Sequence, residues 1–175
     1  MEVDGRTFEK YLSEKDIRQI VQNLAKEIDK VFLGKEVIVI GVLNGAFVFL
    51  SELIPLIKSK YEVHFTKYSS YVGTDSTGLV RQDLEIDISL KDRHVLVVED
   101  IVDTGNTLVQ ILSDLSHHHP ASLRVCSLLL KPDTFDKNIS VDFVGKSIPD
   151  DFVIGYGMDI DGRCRELKDI YRMVR

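Results

Sequence analysis

The apolar residues of the chain repeat with two different periods, which predict helices and strands. Between Ser13 and Gly34 the apolar residues recur at helical spacing. A serine before such a pattern and a glycine after it are typical of the two ends of a helix. The pattern therefore predicts a helix that begins at Ser13 and stops at Gly34. Two further helices are expected, one from the Asn44-Gly45 turn through Ile57 and one from about Asn106 to His118.

Continuous apolar runs indicate strands that are covered on both faces. Such runs occupy 37–43, 94–98 and 123–130, and they alternate with the predicted helices. This alternation is typical of α/β proteins, in which a mostly parallel twisted sheet is flanked by helices. Ligands of such sheets bind at the carboxyl ends of the strands, so we expect a site in the loops that follow these three runs.

The patterns on either side of residues 69–82 are less regular. Residues 69–82 have no apolar periodicity, which predicts a long loop, and loops of that length are usually functional or disordered. Alternation of Leu84, Ile86 and Ile88 with polar residues predicts a half-exposed strand over 83–89. Shorter or weaker strands are expected at 61–68, 141–144 and 152–155.

Composition limits the class of protein. A chain of 175 residues that is 44% hydrophobic and 29% charged is expected to form a single domain, 1–175, without disulfide support. Its 28 acidic and 22 basic residues argue against a protein that mainly grips a nucleic-acid backbone. We expect the protein to be cytoplasmic and to have no membrane partner. It has only two cysteines, its longest apolar run (46–50) is too short to span a bilayer, and residues 1–14 are polar.

Much of the negative charge lies within 75–103, which holds eight acidic and three basic residues. Glu99, Asp100 and Asp103 follow a buried strand, and residues 104–107 then open a helix. Backbone N–H groups, two hydroxyls and a glycine at a helix N-terminus are the parts of a phosphate cradle. Adjacent carboxylates accept hydrogen bonds from hydroxyls or lie near a cation. A ligand with a phosphate and a vicinal diol, such as ribose 5-phosphate, suits this arrangement.

Simpler interpretations stand beside this one. The same acidic residues could merely cap the helix and face solvent. A P-loop is excluded because its G-x-x-x-x-G-K-[ST] pattern is absent, and the 155–157 Gly-Tyr-Gly segment is too little for a dinucleotide fingerprint. The three histidines at 117–119 point in different directions on a helix, so we interpret them as cations at a helix C-terminus rather than as a metal site.

Residues 97–108, with the sequence VVEDIVDTGNTL, resemble the phosphoribosyl-diphosphate signature of type I phosphoribosyltransferases. The residues of this motif are most similar to those of the hypoxanthine-guanine members of the family. The resemblance extends from about residue 35 to Arg165 and implies the type I phosphoribosyltransferase fold, with a small hood formed by terminal segments. The residues that it implies bind the ribose and its 5-phosphate are Glu99, Asp100, Asp103, Thr104, Gly105, Asn106 and Thr107.

The pyrophosphate group is matched by two segments. Leu43-Asn44-Gly45 resembles the family's pyrophosphate loop, in which the resemblance implies a non-proline cis peptide bond; the alternative is an ordinary Asn-Gly turn. Many relatives carry lysine where this chain has Asn44, so a backbone contact is implied here without a charged one. Arg165 matches an arginine that approaches pyrophosphate, although residues 160–164 (IDGRC) stand where the family usually has aromatic residues.

The start of the long loop resembles the mobile lid of the family. Ser70 and Tyr71 are the matching residues, and the lid is expected at about 69–82. Closure of a lid excludes water from a reactive centre. The alternative is a disordered surface loop.

Four residues resemble the purine site. Lys131 matches the lysine whose ammonium donates to the exocyclic oxygen of a 6-oxopurine, which discriminates against adenine. Phe152 matches the aromatic residue that stacks on the purine, and Val153 contributes backbone groups to the base edge. Asp159 matches a residue near magnesium and the purine 2-position. The alternatives are a lysine leaving a sheet and a phenylalanine in the core.

The resemblance implies a purine-salvage transferase. It would convert hypoxanthine and/or guanine and 5-phosphoribosyl 1-diphosphate to IMP and/or GMP and pyrophosphate, with Mg²⁺ as cofactor. Glu99, Asp100 and Asp159 are the implied metal ligands, and Asp103 is the implied general base that takes the purine proton. The family often forms homodimers or homotetramers.

Two rival functions stay open. One is an enzyme of the same fold that prefers xanthine or another base. The other is a regulator of this fold that senses the diphosphate and binds nucleic acid. The sequence has neither a basic face nor an added DNA-binding segment, and Asp103 and Lys131 are both present. These features favour catalysis, with no nucleic-acid partner.

Overall fold

The structure is a computed structural model that describes residues 1–70, 80–135 and 139–174. Within these ranges the chain forms three α-helices and ten strands. The helices are α1 (Glu14–Phe32), α2 (Phe47–Leu53), which continues into a 3-10 turn (Ile54–Leu56), and α3 (Asn106–Ser116). The strands are β1 (Glu2–Val3), β2 (Arg6–Leu12), β3 (Glu36–Leu43), β4 (Lys60–Ser70), β5 (Val80–Leu84), β6 (His94–Val102), β7 (Ser122–Leu130), β8 (Phe143–Ser147), β9 (Val153–Ile154) and β10 (Ile170–Met173).

The larger sheet has six strands in the order β5-β4-β3-β6-β7-β8. All neighbouring pairs are parallel except β4 and β5. Val37 and Val39 of β3 face α1 and α2, whereas Ile38 and Ile40 face α3, so both sides of the sheet are buried at β3. The predicted mostly parallel sheet flanked by helices is therefore confirmed. The chain leaves β3 toward β4 and then crosses to β6, and a reversal of this kind is where α/β sheets bind ligands.

Helix α1 begins where the sequence predicts. Ser13 Oγ accepts a hydrogen bond from the Asp16 backbone N–H at 3.2 Å, and the Asp16 carboxylate accepts one from the Ser13 N–H at 3.1 Å. This reciprocal capping satisfies two N–H groups that a helix start leaves without intrahelical partners. One face of the helix is buried against the sheet and α2 through Ile17, Val21, Leu24, Ala25, Ile28 and Phe32. None of the helices within the described residues is both long enough and apolar enough to span a bilayer.

The smaller sheet joins the two ends of the chain in the order β1-β2-β10-β9. Its apolar side packs around Phe8, Ile154, Ile160 and Cys164. The hood formed by terminal segments is therefore confirmed. We did not predict β1, β2 or β10, because these strands are short and most of their residues are partly or fully exposed.

Two predicted boundaries around the long loop are wrong. The strand expected over 83–89 ends at Leu84, where pairing with β4 stops. Ile86 and Ile88 instead pack on the α3 side of the sheet as irregular chain, which satisfies the same alternation without a partner strand. The ends of the predicted 69–82 loop are also strands, because β4 continues to Ser70 and pairs antiparallel with β5. Residues 71–79 lie outside the described part of the chain.

Candidate active site

Two neighbouring cavities lie at the carboxyl ends of β6 and β7. The α3 cavity, about 120 Å³, is lined by Glu99 and by residues 101–108. The hood cavity, about 180 Å³, lies between the same strand ends and the hood. Ile101 and Asp103 line both cavities. The residues that line the hood cavity are Asp100, Ile101, Asp103, Lys131, Phe152, Val153, Met158 and Asp159.

A larger cavity of about 310 Å³ lies at the opposite end of the sheet, around Asp29. It borders the amino ends of β3 and β4, away from the strand ends that bind ligands in this architecture. The Asp29 carboxylate already accepts hydrogen bonds from the N–H groups of Lys58 and Ser59 and from the Ser59 hydroxyl. Asp29 therefore ties α1 to the start of β4, and we do not assign the reaction to this end.

The start of α3 opens onto the α3 cavity. Gly105, the N-cap, is buried with φ 82°, a left-handed conformation that glycine adopts without strain. Thr104 and Asn106 on either side are exposed, and the described residues of α3 have no side-chain cap. The Thr104 hydroxyl accepts only a long hydrogen bond, 3.5 Å, from the Asn106 N–H. The first turn of the helix therefore lines the α3 cavity, where the helix dipole favours negative charge.

Glu99 and Asp100 are consecutive residues of β6, and they line different cavities. Glu99 lines the α3 cavity and is only 8% exposed, whereas Asp100 lines the hood cavity. Burial, together with the charge of Asp100, raises the pKa of Glu99 well above its ordinary value. Burial also raises the pKa of Asp100 to about 6, although backbone hydrogen bonds and the Arg165 guanidinium act in the opposite direction. The two carboxylates thus repel within a desolvated site that a cation would stabilise.

The loop after β3 fits tightly against this site. The Leu43–Asn44 peptide bond is cis, as the resemblance implies. A Cβ atom on Gly45 would overlap the Asp100 carboxylate, and a Cβ atom on Gly157 would overlap the Gly45 carbonyl oxygen. The Asn44 side chain is exposed. Glycine is therefore required at 45 and 157 because two other segments of the site approach the backbone there.

Asp103 lies where the two cavities meet, and residues that follow β7 donate hydrogen bonds to both of its carboxylate oxygens. Lys131 Nζ donates to Asp103 Oδ2 at 2.6 Å and to Asp150 Oδ1 at 3.1 Å, and the Thr134 hydroxyl donates to Asp103 Oδ1 at 2.7 Å. Burial acts to raise the pKa of Asp103, but the bonds from Lys131 and Thr134 outweigh it and lower that pKa. Burial acts to lower the pKa of Lys131, but its two carboxylate partners raise it. Lys131 is 6% exposed and therefore stays a buried, charged donor.

Phe152 and Val153 line the hood cavity on the side of the hood. Phe152 is 42% exposed, with its ring centroid 6.3 Å from that of Phe8, so it is not a core phenylalanine. Val153 is 7% exposed and pairs with Arg172 of β10. An exposed ring at the edge of a cavity provides a flat apolar surface on which a planar ligand can stack.

Asp159 and Arg165 are in contact next to the loop after β3. Arg165 Nη2 lies 2.8 Å from Asp159 Oδ1, and Arg165 Nη1 donates to the Gly157 carbonyl at 2.7 Å. Ile160 and Cys164, which stand where the family usually has aromatic residues, pack in the core of the hood. The departure from the family pattern therefore leaves Arg165 directed at the segment that contacts Gly45.

The carboxylates offer an open metal site rather than a closed one. Among the described residues, no group of three or more histidine, cysteine or carboxylate side chains could enclose an ion. Mg²⁺ is usually held by one or two carboxylates together with oxygens of a phosphorylated ligand. Asp100 and Asp159 line the same cavity, and each is a hard oxygen donor of the kind that Mg²⁺ prefers. The residues present fit an ion that arrives with its ligand.

Sequence reasoning missed some members of the site. Thr134 and Asp150 bond Asp103 and Lys131, but neither shows a periodic or motif signal. The hint for Thr134 is its position in the loop after a buried strand, where ligand sites of such sheets lie. Of the two residues expected in the lid, Ser70 ends β4, whereas Tyr71 lies outside the described residues.

Comparison with known proteins decides the family. Residues 8–161 match the model of the phosphoribosyl transferase domain. The chain belongs to the phosphoribosyltransferase family. Its relatives include the hypoxanthine phosphoribosyltransferase of Buchnera aphidicola subsp. Schizaphis graminum, which is 40% identical over 171 residues, covering 96% of this chain and 97% of the relative. The hypoxanthine phosphoribosyltransferase of Escherichia coli K12 is 36% identical over 171 residues, covering 96% of both chains.

Solved structures of phosphoribosyltransferases agree with this assignment. A hypoxanthine-guanine phosphoribosyltransferase of Bacillus anthracis superposes with a TM-score of 0.89 at 38% identity, covering 95% of this chain and 98% of that one. A hypoxanthine phosphoribosyltransferase of Staphylococcus aureus superposes with a TM-score of 0.89 at 37% identity, covering 95% and 91%. The type I phosphoribosyltransferase fold that the sequence resemblance implies is therefore confirmed.

Proposed function

We propose that this phosphoribosyltransferase converts hypoxanthine and/or guanine and 5-phosphoribosyl 1-diphosphate to IMP and/or GMP and pyrophosphate, in purine salvage. The observation that carries the proposal is the Lys131–Asp103 pair at the junction of the two cavities. It supplies a buried cation for an exocyclic oxygen and a carboxylate for a ring proton on one edge of the same ligand. The relatives named above support the same activity.

The donor of the phosphoribosyl group occupies the α3 cavity in this proposal. Residues 104–107 hold the 5-phosphate through backbone N–H groups and hydroxyls, because the helix start presents them to the cavity. Glu99 and Asp100 bind the ribose hydroxyls. The backbone of Leu43, Asn44 and Gly45, together with Arg165, contacts the pyrophosphate, next to the Asp100 carboxylate that the Gly45 backbone approaches closely.

The purine occupies the hood cavity. Phe152 stacks on the ring, Val153 offers backbone groups to its edge, and Asp159 lies near the 2-position. Lys131 turns from Asp103 Oδ2 toward the 6-oxo group. This frees Asp103 to take the proton from the ring nitrogen beside that group, while the other nitrogen of the five-membered ring attacks C1 of the ribose. Adenine presents a 6-amino group to the same ammonium, and two donors facing each other are unfavourable.

We propose Mg²⁺ as the cofactor, with Glu99, Asp100 and Asp159 as its protein ligands or near neighbours. Bound there, the ion would neutralise the pyrophosphate and stabilise it as a leaving group. The support is geometric, since Asp100 and Asp159 line one cavity, and burial raises the pKa of both Glu99 and Asp100. The lid role of Ser70 and Tyr71 stays a prediction.

A coupled assay of pyrophosphate release tests the function. We expect turnover with hypoxanthine or guanine, none with adenine, and loss of turnover when a chelator removes Mg²⁺ and recovery when it is returned. Competition among hypoxanthine, guanine, xanthine and uracil would rank the bases and identify an enzyme for another base. Binding of 5-phosphoribosyl 1-diphosphate without nucleotide formation from any base would instead favour the regulator.

We also propose that the enzyme is a homodimer or homotetramer. Tyr61, Val63 and Phe65 alternate along β4, so they share the face of the sheet that α1 and α2 cover at β3, yet each is more than one-third exposed. Phe47 of the neighbouring α2 is also 44% exposed. A two-fold axis that pairs this apolar strip with itself in a second copy would bury it.

Replacement of Val63 by lysine is expected to shift the enzyme toward monomers. A charge at the centre of the strip would lose its hydration in the assembly, which is costly. Sedimentation velocity over a concentration series is the measurement. Val109→Lys on α3 is the matched control, since Val109 is 40% exposed on another face and its replacement should leave the mass unchanged. A wild-type enzyme that sediments as a monomer at all concentrations would contradict the proposal.

We further propose that residues 1–175 form a single domain that works in the cytoplasm. Both cysteines, Cys126 and Cys164, are free and buried, which suits a reducing compartment. One cooperative unfolding transition, seen alike by circular dichroism and by tyrosine fluorescence, is expected for a single domain.

A further inference from the structure

The turn after β7 carries a hydroxyl that the proposed reaction does not use. Thr134 Oγ1 donates to Asp103 Oδ1 at 2.7 Å, while Lys131 Nζ donates to Asp103 Oδ2 at 2.6 Å. A second contact from Thr134 Oγ1, to the Lys131 carbonyl oxygen, is longer at 3.4 Å. A hydroxyl has one proton to donate, so the shorter bond to Asp103 is the one it makes.

The backbone of the turn holds this hydroxyl in place. The Lys131 carbonyl accepts hydrogen bonds from the N–H groups of Thr134 at 3.4 Å and Phe135 at 3.1 Å. The Lys131 N–H donates to the Val102 carbonyl at 2.9 Å, which joins the turn to the residue before Asp103. The Phe135 side chain packs on the apolar cluster beneath α3. Thr134 is therefore anchored to the same strand ends that carry Asp103 and Lys131.

In the proposed reaction, Lys131 leaves Asp103, whereas Thr134 stays hydrogen-bonded to it. Lys131 must leave Oδ2 when it bonds the 6-oxo group of the purine, and Asp150 Oδ1, 3.1 Å from its Nζ, remains as its carboxylate partner. Thr134 makes no contact that a purine would replace. Its bond to Oδ1 can therefore persist while Oδ2 becomes free.

We propose that Thr134 is a positioning residue for Asp103, whose hydroxyl holds Oδ1 and presents Oδ2 to the purine. The inference rests on the proposed function. In the step concerned, the N–H proton of the five-membered purine ring passes to Asp103 Oδ2, the other nitrogen of that ring forms a bond to C1 of the ribose, and the C1–O bond breaks with its electron pair leaving on pyrophosphate. A carboxylate held on one oxygen meets the proton with the other in a defined direction, and such orientation is a large part of general base catalysis.

The charges that face Asp103 are those of Lys131 on the same turn, Asp150 behind Lys131, Glu99 in the α3 cavity, and Asp100 and Asp159 across the hood cavity. Removal of the Thr134 hydroxyl changes none of these charges. A hydrogen bond to a carboxylate lowers its pKa, so loss of this bond raises the pKa of Asp103. A base works only when deprotonated, so the acid limb of the rate profile then moves to higher pH.

The test compares Thr134→Val, which keeps the shape and removes the hydroxyl, with Thr134→Ser, which keeps the hydroxyl. The measurement is the single-turnover rate of IMP formation against pH, with hypoxanthine, Mg²⁺ and 5-phosphoribosyl 1-diphosphate. We expect Thr134→Val to be roughly tenfold slower at neutral pH, a part of the roughly 10²- to 10⁴-fold that a general base contributes, and its acid limb to lie at higher pH. Thr134→Ser should match the wild type, and the KM for the diphosphate should be unchanged in both.

Two results would overturn the proposal. One is a Thr134→Val enzyme with the rate and pH profile of the wild type. The other is a Thr134→Val enzyme that is slower at every pH, with the acid limb at the wild-type pH, together with an equally slow Thr134→Ser enzyme. This pair of results would indicate that the substitutions only damage the turn. Thr134→Ala takes the place of the valine variant if circular dichroism shows that the latter is unfolded.

A second readout needs no turnover. Titration of the Asp103 carboxyl carbon by ¹³C NMR, assigned with Asp103→Asn, should give a higher pKa in Thr134→Val than in the wild type and in Thr134→Ser. An unchanged titration refutes the role of Thr134, even if the enzyme is active. A wild-type enzyme that makes no nucleotide from any 6-oxopurine refutes the proposed function, and the NMR result separates these two failures.

Discussion

Replacement of Asp103 by asparagine is expected to slow nucleotide formation by roughly 10²- to 10⁴-fold, the range that a positioned general base contributes. The amide keeps the size of the side chain but cannot take the purine proton. In the wild type, Lys131 and Thr134 donate hydrogen bonds to the carboxylate at 2.6 and 2.7 Å. The amide would instead present N–H donors toward one of these two donors. The measurement is the single-turnover rate with hypoxanthine and 5-phosphoribosyl 1-diphosphate at saturating Mg²⁺.

The matched control is Asp133→Asn, an exposed carboxylate in the turn that carries Thr134. It changes the net charge by the same amount and should leave the rate unchanged. Asp150 still bonds Lys131 in the Asp103 variant, so we expect the free energy of unfolding to fall by only about 1 kcal/mol. Unchanged turnover in folded Asp103→Asn would exclude Asp103 as the base, and Lys131 would then need another role.

Replacement of Gly45 by alanine is expected to have the second largest effect. The added Cβ would overlap the Asp100 carboxylate, so either the loop or the carboxylate must move. A misplacement of about 1 Å in a catalytic site can cost roughly 10²-fold in rate. We expect a loss of this size in kcat/KM for 5-phosphoribosyl 1-diphosphate, with a smaller change in the KM for hypoxanthine, because Gly45 belongs to the pyrophosphate side.

Asn44→Ala serves as the control in the same loop. The Asn44 side chain is exposed, and the proposed contact with pyrophosphate uses the backbone, so its truncation should change kcat/KM little. Product inhibition by pyrophosphate independently measures how well the loop binds pyrophosphate in both variants. If Gly45→Ala were as active as Asn44→Ala, the contact between Gly45 and Asp100 would not matter for the reaction.

Local patterns predicted much of the architecture. The N-terminal boundary of α1 is encoded by Ser13 and Asp16, three residues apart, and the buried strands β3, β6 and β7 by continuous apolar runs. The turn at Gly105 is likewise local, since its composition alone indicates a phosphate site. The predictions failed where pairing decides the structure: 85–89 has a strand pattern but no partner strand, and the terminal strands are stable only because they pair with each other.

The sequence by itself determined the alternation of helices and buried strands. It also predicted an anion site at the start of α3 and, by resemblance, the identity of the candidate residues. Only the tertiary structure placed Lys131 and Thr134, which are 28 and 31 residues from Asp103, on its two oxygens, and set the Gly45 backbone against Asp100. Periodicity and capping act within a few residues, whereas these contacts depend on β6 lying beside both β3 and β7. That order follows from the packing of the whole sheet, and no local pattern of residues encodes it.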